Sequence, residues 1–288
     1  MNDAHHPKRC GTLVRRILLP AYVVRDAYPA FERAVVVGRK FDAALLIAAI
    51  VDQGAGLVLC SAPVGPGAAI AAVDKKSLAA FRTELGRRVS ELADRAADLG
   101  VQSEATTTVG SAPDEVVQLS RCCDLIIETE FHRRPFWETR LLGRADIYKD
   151  AACPILVARG EPFANGRILL IYSRSQRANR ALRWVARLAD GGGWTPDLHA
   201  LVVFRNKKER QRLLREVVSV AAAHGLTVGV DTVSARVAFY KAVELGRALG
   251  VNLVAMPAHG FPRPLRLRLH GIDREALEDL RASVLLFT

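Results

Sequence analysis

At 288 residues, half of them apolar and a quarter charged, the chain is long enough for two domains with separate cores and too apolar for intrinsic disorder. Its net charge of +11 is uneven: residues 1–160 hold 21 Lys and Arg against 19 Asp and Glu, a net +2, and residues 161–288 hold 20 against 11, a net +9. The longest unbroken apolar run covers residues 43–51, far short of the roughly 20 residues that cross a bilayer, so no transmembrane helix and no membrane insertion are expected.

Residues 1–12 are polar, lack the apolar stretch of a secretory signal, and are expected to form a disordered tail of a cytoplasmic protein. Residues 13–20 read as a buried strand. Over 27–41 the residues Ala30, Phe31, Ala34, Val35, Gly38 and Phe41 recur at helical spacing, which predicts an amphipathic helix. Residues 45–51 are apolar on both sides, as a parallel strand between two helical layers must be. Residues 53–73, rich in Gly, Ala and Pro, read as a long connection. A helix is predicted over 78–99, with Leu78, Phe81, Leu85, Val89, Leu92 and Ala96 on one face and Gly100 as its terminator. A strand over 101–109 follows. The next helix starts at 110–115, where Ser111 is placed to cap, Pro113 suits a first turn, and Asp114 and Glu115 suit the positive end of the helix dipole. It ends near Cys122, and strands begin at Asp124 and Pro154.

After a linker at 160–166 the order repeats. Strand 167–173 precedes a helix with Ala178, Ala181, Leu182, Val185 and Leu188 on one face. Strand 198–204, helix 207–224, strand 226–233 and helix 237–249 come next, then strands from Asn252 and over 283–287. The match extends to detail: both halves open on Arg-Ile-Leu-Leu, at Arg16 and at Arg167, and 252–260 is a worn copy of 124–130. The fold class is therefore α/β, with two doubly wound, five-stranded parallel-sheet domains at 13–160 and 166–288.

Signs of chemistry are few. The five cysteines contain no C-x-x-C pair, and at least one of the adjacent Cys122 and Cys123 reads as buried filler, since neighbours on a helix diverge by about 100°. Seven histidines, among them His259 and His270, show no metal-ligand spacing, so no metal site is expected. No Walker A loop, dinucleotide-binding turn or nucleophile elbow occurs, and no nucleophile and base can be assembled into an enzyme. Phe136 and Trp137, after Arg133 and Arg134, are a candidate partner surface or inward packing.

The chain resembles the universal stress protein family in its tandem form. The residues that carry the likeness are the two Arg-Ile-Leu-Leu openings, Val109 and Gly110 through Pro113, Asp124 through Ile127, and Ala152-Cys-Pro-Ile-Leu-Val157. The resemblance implies that closing strands pair across a two-fold axis, a role assigned to residues 155–158 and 284–287. Nucleotide-binding members carry an Asp after the first strand and a loop of the form G-x2-G-x9-G-[ST] after the fourth. In the first half the Asp position falls on Tyr22, the first two loop glycines on Glu130 and Arg133, and the hydroxyl position beyond Gly143 on Arg144, which implies loss of ATP binding. In the second half the Asp position falls on Ser173 and the first loop glycine on Pro257; Gly260 matches and Gly271 lies one residue late, with Ile272 beyond it. Pro262 and Pro264 remove backbone donors there, but Arg263 can supply side-chain donors, so Ser173, Gly260, Arg263 and Gly271 are the candidate nucleotide or anion site.

The expectation is a non-enzymatic stress-response or regulatory protein acting through protein surfaces, with no bound cofactor and a protein partner. Two alternatives stand beside it. One is a sensor that keeps ATP, AMP or another anion in the second domain. The other is a nucleic-acid binder with Arg263, Arg266, Arg268 and Arg274 as its basic patch. Further association of two chains is left open.

Overall fold

The computed structural model describes residues 13–22, 27–52, 67–129, 150–158, 166–190, 196–258 and 282–288. Apolar runs too short to cover themselves need neighbours on both sides, and the chain meets that need with parallel strands under helices. The elements of the first half are β1 (Arg16–Ala21), α1 (Ala27–Phe41), β2 (Ala44–Asp52), α2 (Gly67–Asp98), β3 (Ser103–Gly110), α3 (Ala112–Ser120), β4 (Leu125–Thr129) and β5 (Ile155–Ala158). Those of the second half are β6 (Arg167–Tyr172), α4 (Gln176–Asp190), β7 (Asp197–Phe204), α5 (Lys207–Ala223), β8 (Val228–Ser234), α6 (Ala238–Leu249), β9 (Leu253–Pro257) and β10 (Ser283–Phe287).

All ten strands lie in one sheet, in the order β3-β2-β1-β4-β5-β10-β9-β6-β7-β8. Each half is parallel, and the two meet through an antiparallel pair in which Val284, Leu285 and Leu286 face Val157, Leu156 and Ile155. These are the segments assigned to that role from the sequence.

The repeat is visible in the hydrogen bonds. Ile17 lies opposite Leu125 and Leu18 opposite Ile126; in the copy Ile168 lies opposite Leu253 and Leu169 opposite Val254. The amide of Asp124 donates to the Arg16 carbonyl at 2.8 Å, and that of Asn252 to the Arg167 carbonyl at 3.0 Å. Asp124 does more than its counterpart: its carboxylate accepts the amides of Arg15 and Arg16 at 2.8 and 3.0 Å, fixing where β1 begins.

The core is two apolar layers, one on each face of the sheet, and each runs through both halves. One packs α1, α2, α4 and α5 against the strands through residues such as Phe31, Leu85, Ala181 and Leu213. The other packs α3 and α6 through Val116 and Ala242. Trp184 of α4 meets Phe287 of β10 edge to face, with centroids 5.9 Å apart. The predicted inward faces of α1 and α4 are buried as expected.

Three local readings need correction. The connection at 53–73 is partly helix, because α2 starts at Gly67 and spans 32 residues; the alanine-rich stretch after Gly67 favours helix once nothing else claims it. Phe81 does not join the inward face and is 38% exposed, whereas Leu85, Val89, Leu92 and Ala96 are buried. A helix of that length extends about 48 Å, beyond the roughly 30 Å of the longest strand, so its early turns outrun the sheet. Ser111 occupies the N-cap position of α3 but makes no side-chain capping bond. Capping occurs instead at α5, where Asn206 accepts the Glu209 amide at 2.9 Å and Glu209 accepts the Arg205 amide at 2.7 Å. Gly100 and Gly250 end their helices at φ of 78° and 60°, values that a side chain disfavours.

Leu285, fully buried between β5 and β9, tests the joint. Leu285→Ala is expected to cost about 2–5 kcal/mol in urea unfolding, as for other buried leucines, and to loosen both halves together. Loss confined to the second half would show that the layers do not act as one.

Candidate functional site

In an open α/β sheet, ligands bind beyond the carboxyl ends of the strands where the strand order reverses. Here that happens twice, between β1 and β4 and between β6 and β9.

In the first half this place is occupied by the protein's own side chains. Tyr22, directly after β1, donates its hydroxyl to Glu128 Oε1 of β4 at 3.2 Å, and Glu128 is only 3% exposed. Tyr22 also packs against the apolar layer under α3 and α6. In the second half the residue after β6 is Ser173, 8% exposed, whose buried hydroxyl has no hydrogen-bond partner among the described residues. The other sequence candidates there, Gly260, Arg263, Arg266, Arg268, Gly271 and Arg274, lie outside the described residues, as do His259 and His270. The same holds for Glu130, Arg133, Phe136, Trp137, Gly143 and Arg144 in the first half, and for the expected tail at 1–12.

A partly buried polar network that is described was not anticipated. Alternation along β6 turns Ile168, Leu170 and Tyr172 to the layer under α4 and α5. Tyr172, at the strand's end, is 1% exposed and forms the floor of a cleft of about 610 Å³ between those helices. Its walls are Asn179, Leu182 and Arg183 from α4, and Arg212, Arg215, Glu216, Ser219 and Val220 from α5.

The Tyr172 hydroxyl donates to Glu216 Oε2 at 3.0 Å and also lies against the side-chain amide of Asn179. A phenol has one proton, so both contacts are satisfied when the Asn179 amide presents its NH2 to the phenol oxygen. The other carboxylate oxygen of Glu216 accepts from Arg212 Nε at 2.8 Å, an i,i+4 pair on α5. The hydrogen bond from Arg212, and then that from Tyr172, hold the Glu216 carboxyl below its ordinary value. Burial, reinforced by the Glu216 charge, pushes the Tyr172 phenol well above 10. The network is thus a protonated phenol donating to an ionised carboxylate. The signal in the sequence was the Arg212 and Glu216 spacing, but nothing local joins it to a tyrosine 44 positions away.

Two of the three described cysteines support filling rather than reactivity. Cys122 is exposed, and Cys123 and Cys153 are buried. Burial pushes the Cys153 thiol up to about 12 and raises that of Cys123 strongly. Among the described residues no three His, Cys, Asp or Glu side chains cluster as metal ligands, and no helix is long and apolar enough to cross a membrane.

No family model matches the chain, and no curated protein matches its sequence. Solved structures do match its fold. A universal stress protein from Archaeoglobus fulgidus superposes with a TM-score of 0.66 at 16% identity, over 96% of this chain and 97% of the other. A putative universal stress protein from Pseudomonas aeruginosa gives 0.53 at 14% identity, over 95% and 93%. The cytoplasmic domain of a prokaryotic cation chloride cotransporter gives 0.53 at 11% identity, over 94% of each. At these identities the likeness is one of fold: the chain has the universal stress protein fold in its tandem, two-domain form.

Two outcomes follow from the side chains described. A phenol whose pKa is raised by folding contributes stability that is complete below pH 10 and is lost as the pH climbs through the folded value. In an alkaline absorbance titration of the five tyrosines, Tyr172→Phe should therefore remove a component that ionises well above pH 10; loss of amplitude near pH 10 would contradict the network. Ser173→Ala, which removes a buried hydroxyl without a partner among the described residues, should leave the melting temperature unchanged or raise it.

Proposed function

We propose that this chain is a non-enzymatic regulatory protein of the stress-response type that acts through protein surfaces, with domains at 13–160 and 166–288, and that neither strand-end crevice takes ATP. The observation that carries this reading is the Tyr22 and Glu128 pair. A nucleotide entering between β1 and β4 would have to displace a tyrosine that packs against the core, and its phosphates would meet a carboxylate that is 3% exposed. Repulsion between such charges is strong where water is excluded. In the second half the neutral hydroxyl of Ser173 stands where the nucleotide-binding relatives carry an Asp, which supports the same loss there. The cotransporter likeness adds support, because there this fold serves as the cytoplasmic domain of a larger protein.

One observation favours a second reading. The hydroxyl of Ser173 is buried without a partner among the described residues, and buried polar groups are nearly always satisfied. A ligand of the second half, an adenine nucleotide or another anion, would satisfy it.

Photolabelling of the full chain with an azido-ATP, followed by peptide mapping, separates these readings. No ATP-protected label within residues 16–22, 125–129, 167–173 or 253–258 is the expected result. Protected label at 16–22 or 125–129 would overturn the proposal for the first half, and label at 167–173 would establish the sensor.

A further inference from the structure

The cleft between α4 and α5 is a second place where the second half can hold a ligand, and its chemistry can be read from its walls. Three of the lining side chains are guanidinium groups and one is a carboxylate, which leaves the cleft with a charge of +2. Glu216 pairs with Arg212 through one oxygen and accepts from Tyr172 through the other. Among the described residues Arg183 has no ion pair, and Arg215 reaches only the Gln211 carbonyl of its own helix, at 3.4 Å. Two cations therefore face the cleft from α4 and α5 without a carboxylate partner among the described residues, and planar guanidinium donors are well suited to carboxylate and phosphate oxygens.

Beneath them the cleft is apolar. Leu182 is 2% exposed, Val220 is partly buried against the core, and the Tyr172 ring forms the floor. About 610 Å³ falls within the roughly 300–1,000 Å³ typical of small-molecule sites and exceeds what a lone inorganic ion fills. The chain of contacts from Asn179 through Tyr172 and Glu216 to Arg212 fixes one wall in advance, so little ordering is left for a ligand to impose. Glu216 is the one repulsive element, and its charge is already engaged on both oxygens.

We propose that this cleft binds a small organic anion, an oxyanion head carried on an apolar ring, with Arg183 and Arg215 on the head and the ring set over the partly buried Val220. The site opens on the α4 and α5 side of the sheet, and the proposal does not depend on the fate of ATP at the strand ends.

Isothermal titration of the full chain at low ionic strength tests it, with phenyl phosphate, benzoate and inorganic phosphate as probes. Saturable binding of phenyl phosphate or benzoate at one site is expected, with inorganic phosphate at least about ten-fold weaker, and the better of the two ring probes identifies the head. Arg183→Ala and Arg215→Ala are each expected to weaken binding about ten-fold, as loss of a charge-assisted contact should. Both residues are exposed, so the fold is expected to persist, and circular dichroism confirms it. Arg187→Ala, an exposed arginine of α4 that does not line the cleft, should bind as the parent does. The proposal is overturned if neither ring probe saturates at millimolar concentration, if inorganic phosphate binds as well as they do, or if Arg183→Ala and Arg215→Ala titrate like the parent.

Discussion

Everything in this structure rests on three residue pairs, those that join β5 to β10. Without that ladder each half would end in a short, largely apolar strand with an open row of amides and carbonyls, a template for indiscriminate pairing. With it, the two sheets become one and the apolar layers on either face continue across the joint, so that Leu156 and Leu285 belong to the same packed layer as Phe31 and Leu213. The edges that remain are β3 and β8, both partly polar strands.

Much of this was legible in advance because the signals were strong and local. Strands apolar on both sides, helices with a clean inward seam and a repeated Arg-Ile-Leu-Leu opening leave few topologies open. Readings failed where a local rule met a competing local force or a matter of length. Ser111 is the right residue in the right place for a cap and makes no such bond, whereas Asn206 does. Phe81 is in phase with the buried seam of α2, yet phase says nothing about how far the sheet extends beneath it.

The candidate sites were less legible, for a different reason. A crevice position such as Tyr22 or Ser173 can be located by its rank after a strand, but whether it is filled or empty depends on a residue more than a hundred positions away, as with Glu128. The cleft over Tyr172 is assembled from a strand end and two helices, and in one dimension its arginines were visible as an excess of positive charge and, for Arg212, as a spacing to Glu216. Charge can be counted from a sequence; which cations already have partners cannot.

The joint has an evolutionary consequence as well. In a symmetric homodimer a substitution appears in both subunits at once, so the two equivalent pockets must change together. When the partners share one chain, the contact is also intramolecular and its occupancy does not fall on dilution. Each half can then drift while the other maintains the assembly. Tyr22 against a buried carboxylate in one crevice and Ser173, with no partner for its hydroxyl among the described residues, in the other show what such freedom permits: equivalent positions that differ within a single polypeptide.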